Sequence, residues 1–252
     1  MKRERGSTIQ RVLDILDTVA ASPKPLSATD INSELNLPKA TAHRLCAELE
    51  AQGYLLKRID GKSYQPGNRL FDIAVGVLAS SRFGATRHAI LTALSEEVGE
   101  TCNIAYPAGL YMAYSDRVET SAPLRLQFPI GMRVPLYCTA SGKLYLSTLP
   151  KPRRKAVVNK LKLTRRAKNT ITNPDILLTE LDKVEQLQVS IDHEELYDDV
   201  IAIAVPIKDK KGRFYSSLAI QAPVSRISVD NSEKYIPLLR EAAHDLSILT
   251  ED

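Results

Sequence analysis

The 252-residue chain has little cysteine, no long apolar run and little net charge, and each shortage removes a class of protein. Its three cysteines, Cys46, Cys102 and Cys138, are odd in number and far apart, which fits neither a disulfide framework nor C-x-x-C metal spacing. A reducing cytoplasm is the expected compartment. No stretch approaches the ~18 consecutive apolar residues of a membrane-spanning helix. The opening M-K-R-E-R-G-S leads into an amphipathic segment with Arg11 and Asp14, unlike the apolar core of a signal peptide. A net charge of +4 is too small to argue for nucleic acid by itself, although Lys2, Arg3 and Arg5 near the start could touch phosphates. Catalytic signatures are missing as well. G-x-S-x-G appears nowhere, and His88, His193 and His244 fall in unrelated segments, so a Ser-His-Asp hydrolase has no frame. Gly142-Lys143 ends like a phosphate-binding loop, but Tyr137 holds the earlier glycine position and no Ser or Thr follows Lys143. His193, Glu194 and Glu195 have metal-ligand chemistry but no second His at helical spacing, and they read as a solvated acidic loop. Neither a cofactor nor a metal is expected.

What is present is two domains' worth of ordinary globular sequence, 44% apolar and 25% charged. Its most informative stretch is L-P-K-A-T-A-H-R-L-C-A-E-L-E-A-Q-G-Y, from Leu37 to Tyr54. Pro38 can open a helix and Gly53 can close it in a left-handed conformation. Between them Ala42, Leu45, Cys46 and Leu49 recur at three- and four-residue steps as one apolar stripe. Ala40 and Arg44 fall opposite the stripe, flanked by Thr41 and His43. Small, hydroxyl and guanidinium groups on an outer face suit a DNA major groove, where Arg reads guanine bidentately. Upstream, Ser7 is an N-cap for a first helix bearing Ile9, Val12, Leu13, Leu16 and Val19, and Ser27 with Asp30 forms a capping box for a short second one. Downstream, β-prone runs flank Asp60-Gly61, a type I′ hairpin signal, with Lys57, Arg58 and Lys62 on the hairpin. Three helices and a two-stranded wing predict a winged helix-turn-helix over residues 1–66, with Lys39, Lys57, Arg58 and Lys62 toward phosphates.

Residues 67–82 carry Leu70, Phe71, Ala74, Val77 and Leu78 at helical spacing, too apolar for an exposed linker, so they predict a helix that pairs with its copy in a second subunit. A further helix to Val98 opens a second domain, 83–252. T-C-N-I-A-Y, L-Y-M-A-Y-S-D-R-V, L-R-L-Q-F, V-I-A-I-A-V-P-I and R-F-Y-S-S-L-A-I-Q-A read as strands. T-A-S-G-K-L-Y-L-S-T-L, the stretch opened by Asn173-Pro174 and a last segment from about Ser232 to Leu249 read as helices. Meandering strands with helices grouped between them indicate an α+β fold with an antiparallel sheet. Lys151 to Lys168 holds nine basic residues and no acid, read as a solvent-exposed face.

With these elements placed, the chain resembles the isocitrate lyase regulator (IclR) family of bacterial transcription factors. The resemblance is carried by I-Q-R-V-L-D-I-L, L-P-K-A-T-A-H-R-L followed by G-Y, Y-Q-P-G, P-L-Y-C-T-A-S-G-K, N-T-I-T-N, D-H-E-E, I-A-I-A-V-P-I and S-S-L-A-I-Q-A-P. It implies a winged helix-turn-helix bound to double-stranded operator DNA, a dimerising linker helix and a GAF-like effector domain that drives a homodimer to a tetramer. It also implies a repressor rather than an enzyme, with RNA polymerase as a further candidate partner. Carried over by position, the effector site would comprise Ala140, Ser141, Asp192, Ala202, Ala219 and Gln221. Ser141 and Gly142 would offer a hydroxyl and free backbone N–H groups to a ligand carboxylate. Relatives often place Cys or Ser where this chain has Ala202, Ala219 and Gln221, so a bulkier acid, aromatic acids included, is expected instead of a very small oxo-acid. Asp198-Asp199 stands where relatives commonly have Gly. The alternative weighed beside this is a small-molecule-processing enzyme that uses a winged helix for protein contacts.

Overall fold

Ser7 caps the first helix, α1 (Thr8–Ala21), by accepting a hydrogen bond from the Gln10 N–H, and burial of Ile15 and Val19 turns that helix inward. The computed structural model describes residues 7–22, 24–58, 61–80, 82–123 and 127–251. The basic opening with Lys2, Arg3 and Arg5 lies outside them. The chain divides into two units, Met1–Val77 and Leu78–Asp252.

In the first unit α2 (Ala28–Leu35) starts on the capping box of Ser27 and Asp30, and Asn36 ends it in a left-handed conformation. The next helix, α3 (Lys39–Ala51), starts one residue later than the proline signal implies, with Pro38 at its N-cap. Gly53, at φ 79°, closes it. The Gly53 N–H donates to the Glu50 carbonyl and the Tyr54 N–H to the Leu49 carbonyl, the paired bonds that satisfy a helix's last acceptors. Strands β2 (Leu55–Lys57) and β3 (Ser63–Pro66) form the wing, and their register, Lys57 opposite Tyr64, centres the connection on Asp60 and Gly61. Ile59 and Asp60 themselves lie outside the described residues. Sequence reasoning missed β1 (Leu26–Ser27), which adds to β3 as a third strand; two residues are too short to show alternation. Ile15, Val19, Ile31, Leu45, Cys46, Leu49, Leu55 and Tyr64 make the core.

Helix α4 (Asn68–Ser80) begins against the turn that ends α3. The Gly67 N–H donates to the Tyr54 carbonyl at 2.7 Å, the Arg69 N–H to the Gly53 carbonyl at 3.0 Å, and the Arg69 guanidinium lies 4.8 Å from the Tyr54 ring centre. A Cβ on Gly67 would come within 2.3 Å of the Gly53 carbonyl oxygen, so only glycine allows the approach. On α4, Ile73 and Val77 remain exposed, while the Leu78 side chain lies outside the described residues.

The second unit is built on a six-stranded antiparallel sheet in the order β6-β5-β4-β9-β8-β7. Its strands are β4 (Thr101–Ala108), β5 (Tyr111–Val118), β6 (Arg133–Pro135), β7 (Ser190–His193), β8 (Val200–Lys208) and β9 (Phe214–Pro223). Helices α5 (Arg82–Val98) and α9 (Ile236–Ile248) cover one face through Leu91, Ile203, Ile220 and Leu239. The other face receives α6 (Ala140–Thr148) and α8 (Pro174–Leu187), while α7 (Lys151–Val158) leans on α8. Of L-R-L-Q-F, residues 124–126 lie outside the described residues and Gln127 and Phe128 are irregular, while Arg133–Pro135, not expected as a strand, pairs with β5. Two expectations need correction. The last helix starts at Ile236, after a 3-10 stretch over Val229–Tyr235. The D-H-E-E segment is not all loop, because Asp192 and His193 pair with Ala202 and Ile201 as the edge of the sheet.

Candidate DNA-facing helix and effector site

On α3 the buried set is Ala42, Leu45, Cys46 and Leu49, so its 3.6-residue period leaves Lys39, Ala40, His43 and Arg44 exposed and Thr41 half-buried. Those five residues form one outward face on a helix whose other face is anchored in the core. The wing cations differ from one another. Lys57 sits 3.8 Å from a Glu50 carboxylate oxygen and 5.6 Å from the Tyr64 ring centre, which ties the wing back to α3. Arg58 and Lys62 are exposed beside the connection.

In the second unit, register brings distant segments into rows. Asp192, Ala202, Gln221 and Thr101 lie side by side across β7, β8, β9 and β4, and one step along come Ser190, Ala204, Ala219, Asn103 and, on β5, Arg117. Residues two apart share a face, so both rows lie beneath α6. Ala140 and Leu144 of α6 pack with Val184 of α8 onto Ala202, Ala204 and Ala219. The expected site residues Ala140, Ser141, Gly142, Asp192, Ala202, Ala219 and Gln221 therefore converge on one side of the sheet.

Gly142 has a different job from the one expected of it. Its N–H is occupied by the Thr139 hydroxyl at 3.1 Å, which itself donates to the Pro135 carbonyl. A Cβ at 142 would fall 2.4 Å from the Leu136 carbonyl oxygen, so this glycine lets α6 press on the segment before it. The helix N-terminus is left with the Ala140 and Ser141 N–H groups and the Ser141 hydroxyl.

Asp192 is nearly sealed from solvent, and one carboxylate oxygen accepts from the Glu195 N–H at 2.8 Å and the Leu196 N–H at 3.4 Å. Burial, reinforced by the Glu195 charge, pushes its carboxyl up to about 7, against the pull of those N–H groups and Lys143. Sequence reasoning missed Lys143, because lysine is almost never fully buried without a partner. Here its ammonium reaches Glu195 as a close ion pair, donates to the Ile191 carbonyl at 2.7 Å and lies 3.5 Å from Glu180. It thereby joins α6, α8 and the turn after β7. The acidic turn is spoken for elsewhere too: Glu194 pairs with Lys168 and His193. Among the described residues no group of three or more His, Cys, Asp or Glu side chains could hold a metal. Nor is the basic stretch wholly exposed: Arg154 is buried, bonded to Asp182 and Glu185 at 2.8 Å each.

An aromatic group extends the polar rows. The Gln221 amide donates to the Tyr114 hydroxyl at 2.9 Å. The Tyr114 and Phe128 ring centres are 6.0 Å apart, and Phe128 stacks on Tyr197 at 5.6 Å. Arg117, its pKa lowered by burial, lies 5.8 Å over Phe128 and 3.4 Å from Glu119. These aromatic residues come from three separate segments, and no local pattern joins them.

Among the described residues no helix is long and apolar enough to cross a membrane. Comparison with known proteins agrees with the two-unit architecture. Residues 8–58 match the IclR helix-turn-helix domain, and residues 76–248 match the bacterial transcriptional regulator IclR C-terminal family. The probable transcriptional regulator SauR of Cupriavidus necator is 36% identical over 98% of this chain and 98% of its own. The transcriptional repressor IclR of Escherichia coli is 25% identical over 96% of this chain and 89% of its own. The crystal structure of Thermotoga maritima IclR superposes with a TM-score of 0.65 at 28% identity, covering 97% of this chain and 99% of that one. A winged helix-turn-helix followed by a helix-covered antiparallel sheet, matched by both family models along nearly its whole length, places the chain in the IclR family of bacterial transcriptional regulators, DNA-binding proteins rather than enzymes.

Proposed function

We propose that this regulator is a repressor whose operator affinity is set by a small carboxylic acid, bulkier than a simple oxo-acid and preferably aromatic, held between α6 and the sheet. The observation that carries the effector reading is the row Asp192, Ala202 and Gln221 on the face covered by α6, where a carboxyl and an amide flank the small side chain of Ala202 beneath Ala140 and next to Ser141 in sequence. Tyr114, Phe128 and Tyr197 beside Gln221 supply flat apolar surface suited to a ring. Repression is the mode named for the Escherichia coli relative, and it is taken here as the working assignment.

On the DNA side, Arg44 and Thr41 would face bases, with Ala40 and His43 beside them, and Lys39, Arg58 and Lys62 would meet phosphates. The exposed apolar pair Ile73 and Val77 supports dimerisation through α4, which would present two copies of α3 to successive major grooves; pairing of dimers would complete a tetramer. An acid in the second unit changes DNA affinity only by binding one arrangement of the assembly better than another.

Fluorescence anisotropy on DNA upstream of the protein's own gene tests the assignment. Wild type should bind tightly, and Arg44→Ala should weaken binding by about 1–3 kcal/mol on that fragment but not on random DNA. Equal binding of both proteins to every DNA would remove base reading from α3. Release of the wild-type complex by an aromatic acid supports repression relieved by effector, while tightening would reverse the mode.

A further inference from the structure

The Asn103 side chain is buried, 2% exposed, and neither its carbonyl oxygen nor its amide nitrogen has a hydrogen-bond partner. Buried amides rarely leave both ends unmatched. On β4 the residue lies between Ala219 of β9 and Arg117 of β5, on the face that carries Ala202, Gln221 and Asp192. Its neighbour across β9 is therefore a methyl group that offers no hydrogen bond. Its neighbour across β5 is a guanidinium already placed by Glu119, the Phe128 carbonyl and the Phe128 ring.

We propose that Asn103 is the residue that selects the effector, and that it selects a 2-hydroxycarboxylate: the ligand hydroxyl donates to Asn103 Oδ1, a carboxylate oxygen accepts from Asn103 Nδ2, and Arg117 supplies the neighbouring positive charge. The inference rests on the acid-sensing reading above and adds which acid. A bare carboxylate has only acceptors and would face Oδ1 with like partial charge in a dry site. A carboxylate with a hydroxyl on the adjacent carbon, or ortho on a ring, offers one donor and one acceptor side by side, which is the complement of a primary amide. The acid group then lies toward β4 and β5, and the ring toward Tyr114, Phe128 and Tyr197.

Calorimetric titration of the full-length protein at neutral pH tests this with two matched pairs, mandelate against phenylacetate and salicylate against benzoate. Wild type should prefer the hydroxylated member of at least one pair by about tenfold, the worth of one well-made hydrogen bond in a site that otherwise leaves its partner unpaired. Asn103→Leu, close in volume, should erase that preference while phenylacetate or benzoate still binds, and should raise the melting temperature, because it removes two unmatched buried groups. Acids that bind wild type without a hydroxyl preference, a preference that survives in Asn103→Leu, or a lowered melting temperature with wild-type selectivity would each overturn the role of Asn103 and leave the acid-sensing reading standing. Failure of all four acids to bind wild type would remove both readings. If Asn103→Leu does not fold, Asn103→Ala replaces it, and loss or survival of the hydroxyl preference in that variant decides.

Discussion

Asp192→Asn should make the protein more stable at neutral and alkaline pH and leave it unchanged only below about pH 4. In the folded chain the Asp192 carboxyl is pushed from 3.8 to about 7, chiefly by burial and then by the Glu195 charge. The folded state thus holds its proton more tightly than the unfolded chain does. Stability from that proton is complete below about pH 4 and is lost progressively until the pH passes 7. The gap between the two values corresponds to a ceiling of about 4 kcal/mol, and relaxation of Lys143 and Glu195 around the charge should leave roughly 2–4 kcal/mol visible. Asparagine keeps the oxygen that accepts from the Glu195 and Leu196 N–H groups, so the substitution removes the charge and preserves the turn. Urea unfolding of both proteins at fixed concentration from pH 5 to pH 8 is the assay. The variant's advantage should already be about a third of its full size at pH 5, widen up to about pH 7 and level off by pH 8. Glu195, whose pKa burial also raises, is present in both proteins, and Asp192→Asn relieves it of a neighbouring charge. A gap that stays constant across that range would mean the carboxylate is ionised throughout, and the account of a dry, acid-crowded row would fail.

Two further substitutions probe the packing beneath the site. Gly142→Ala should cost about 3 kcal/mol or more, although alanine is the better helix former, because its Cβ would meet the Leu136 backbone at 2.4 Å; a raised unfolding midpoint would refute that contact. Lys143→Met should cost about 3–5 kcal/mol by stranding the Glu195 carboxylate. Adding Glu195→Gln should return much of the loss, and a double-mutant cycle showing simple additivity would show that the pair does not act together.

The DNA-binding unit was legible because its information is local. Caps at Ser7 and Ser27, the stripe from Ala42 to Leu49 and the stop at Gly53 each act within a few residues, and each stands where the spacing placed it. The sheet was legible where strands run to eight or more β-prone residues and illegible where they are short: Leu26–Ser27 and Arg133–Pro135 pair through partners far away. Asp192, Ala202, Ala219 and Gln221 could be named from resemblance, but their standing in two adjacent rows is a property of register. Lys143 and Asn103 were invisible for a plainer reason. Both are polar residues at positions where only tertiary packing decides burial, and a single sequence carries no mark of it. The same holds for Gly142, whose requirement comes from Leu136 and not from any ligand.

The junction at Gly53, Tyr54, Gly67 and Arg69 has a mechanical consequence. Two backbone hydrogen bonds and a cation over a ring fasten the first turn of α4 to the end of α3. A Cβ at position 67 would meet the Gly53 carbonyl, so these contacts exist only because the residue is glycine. A turn of the start of α4 would therefore pull on the backbone that ends α3, the helix that carries Arg44.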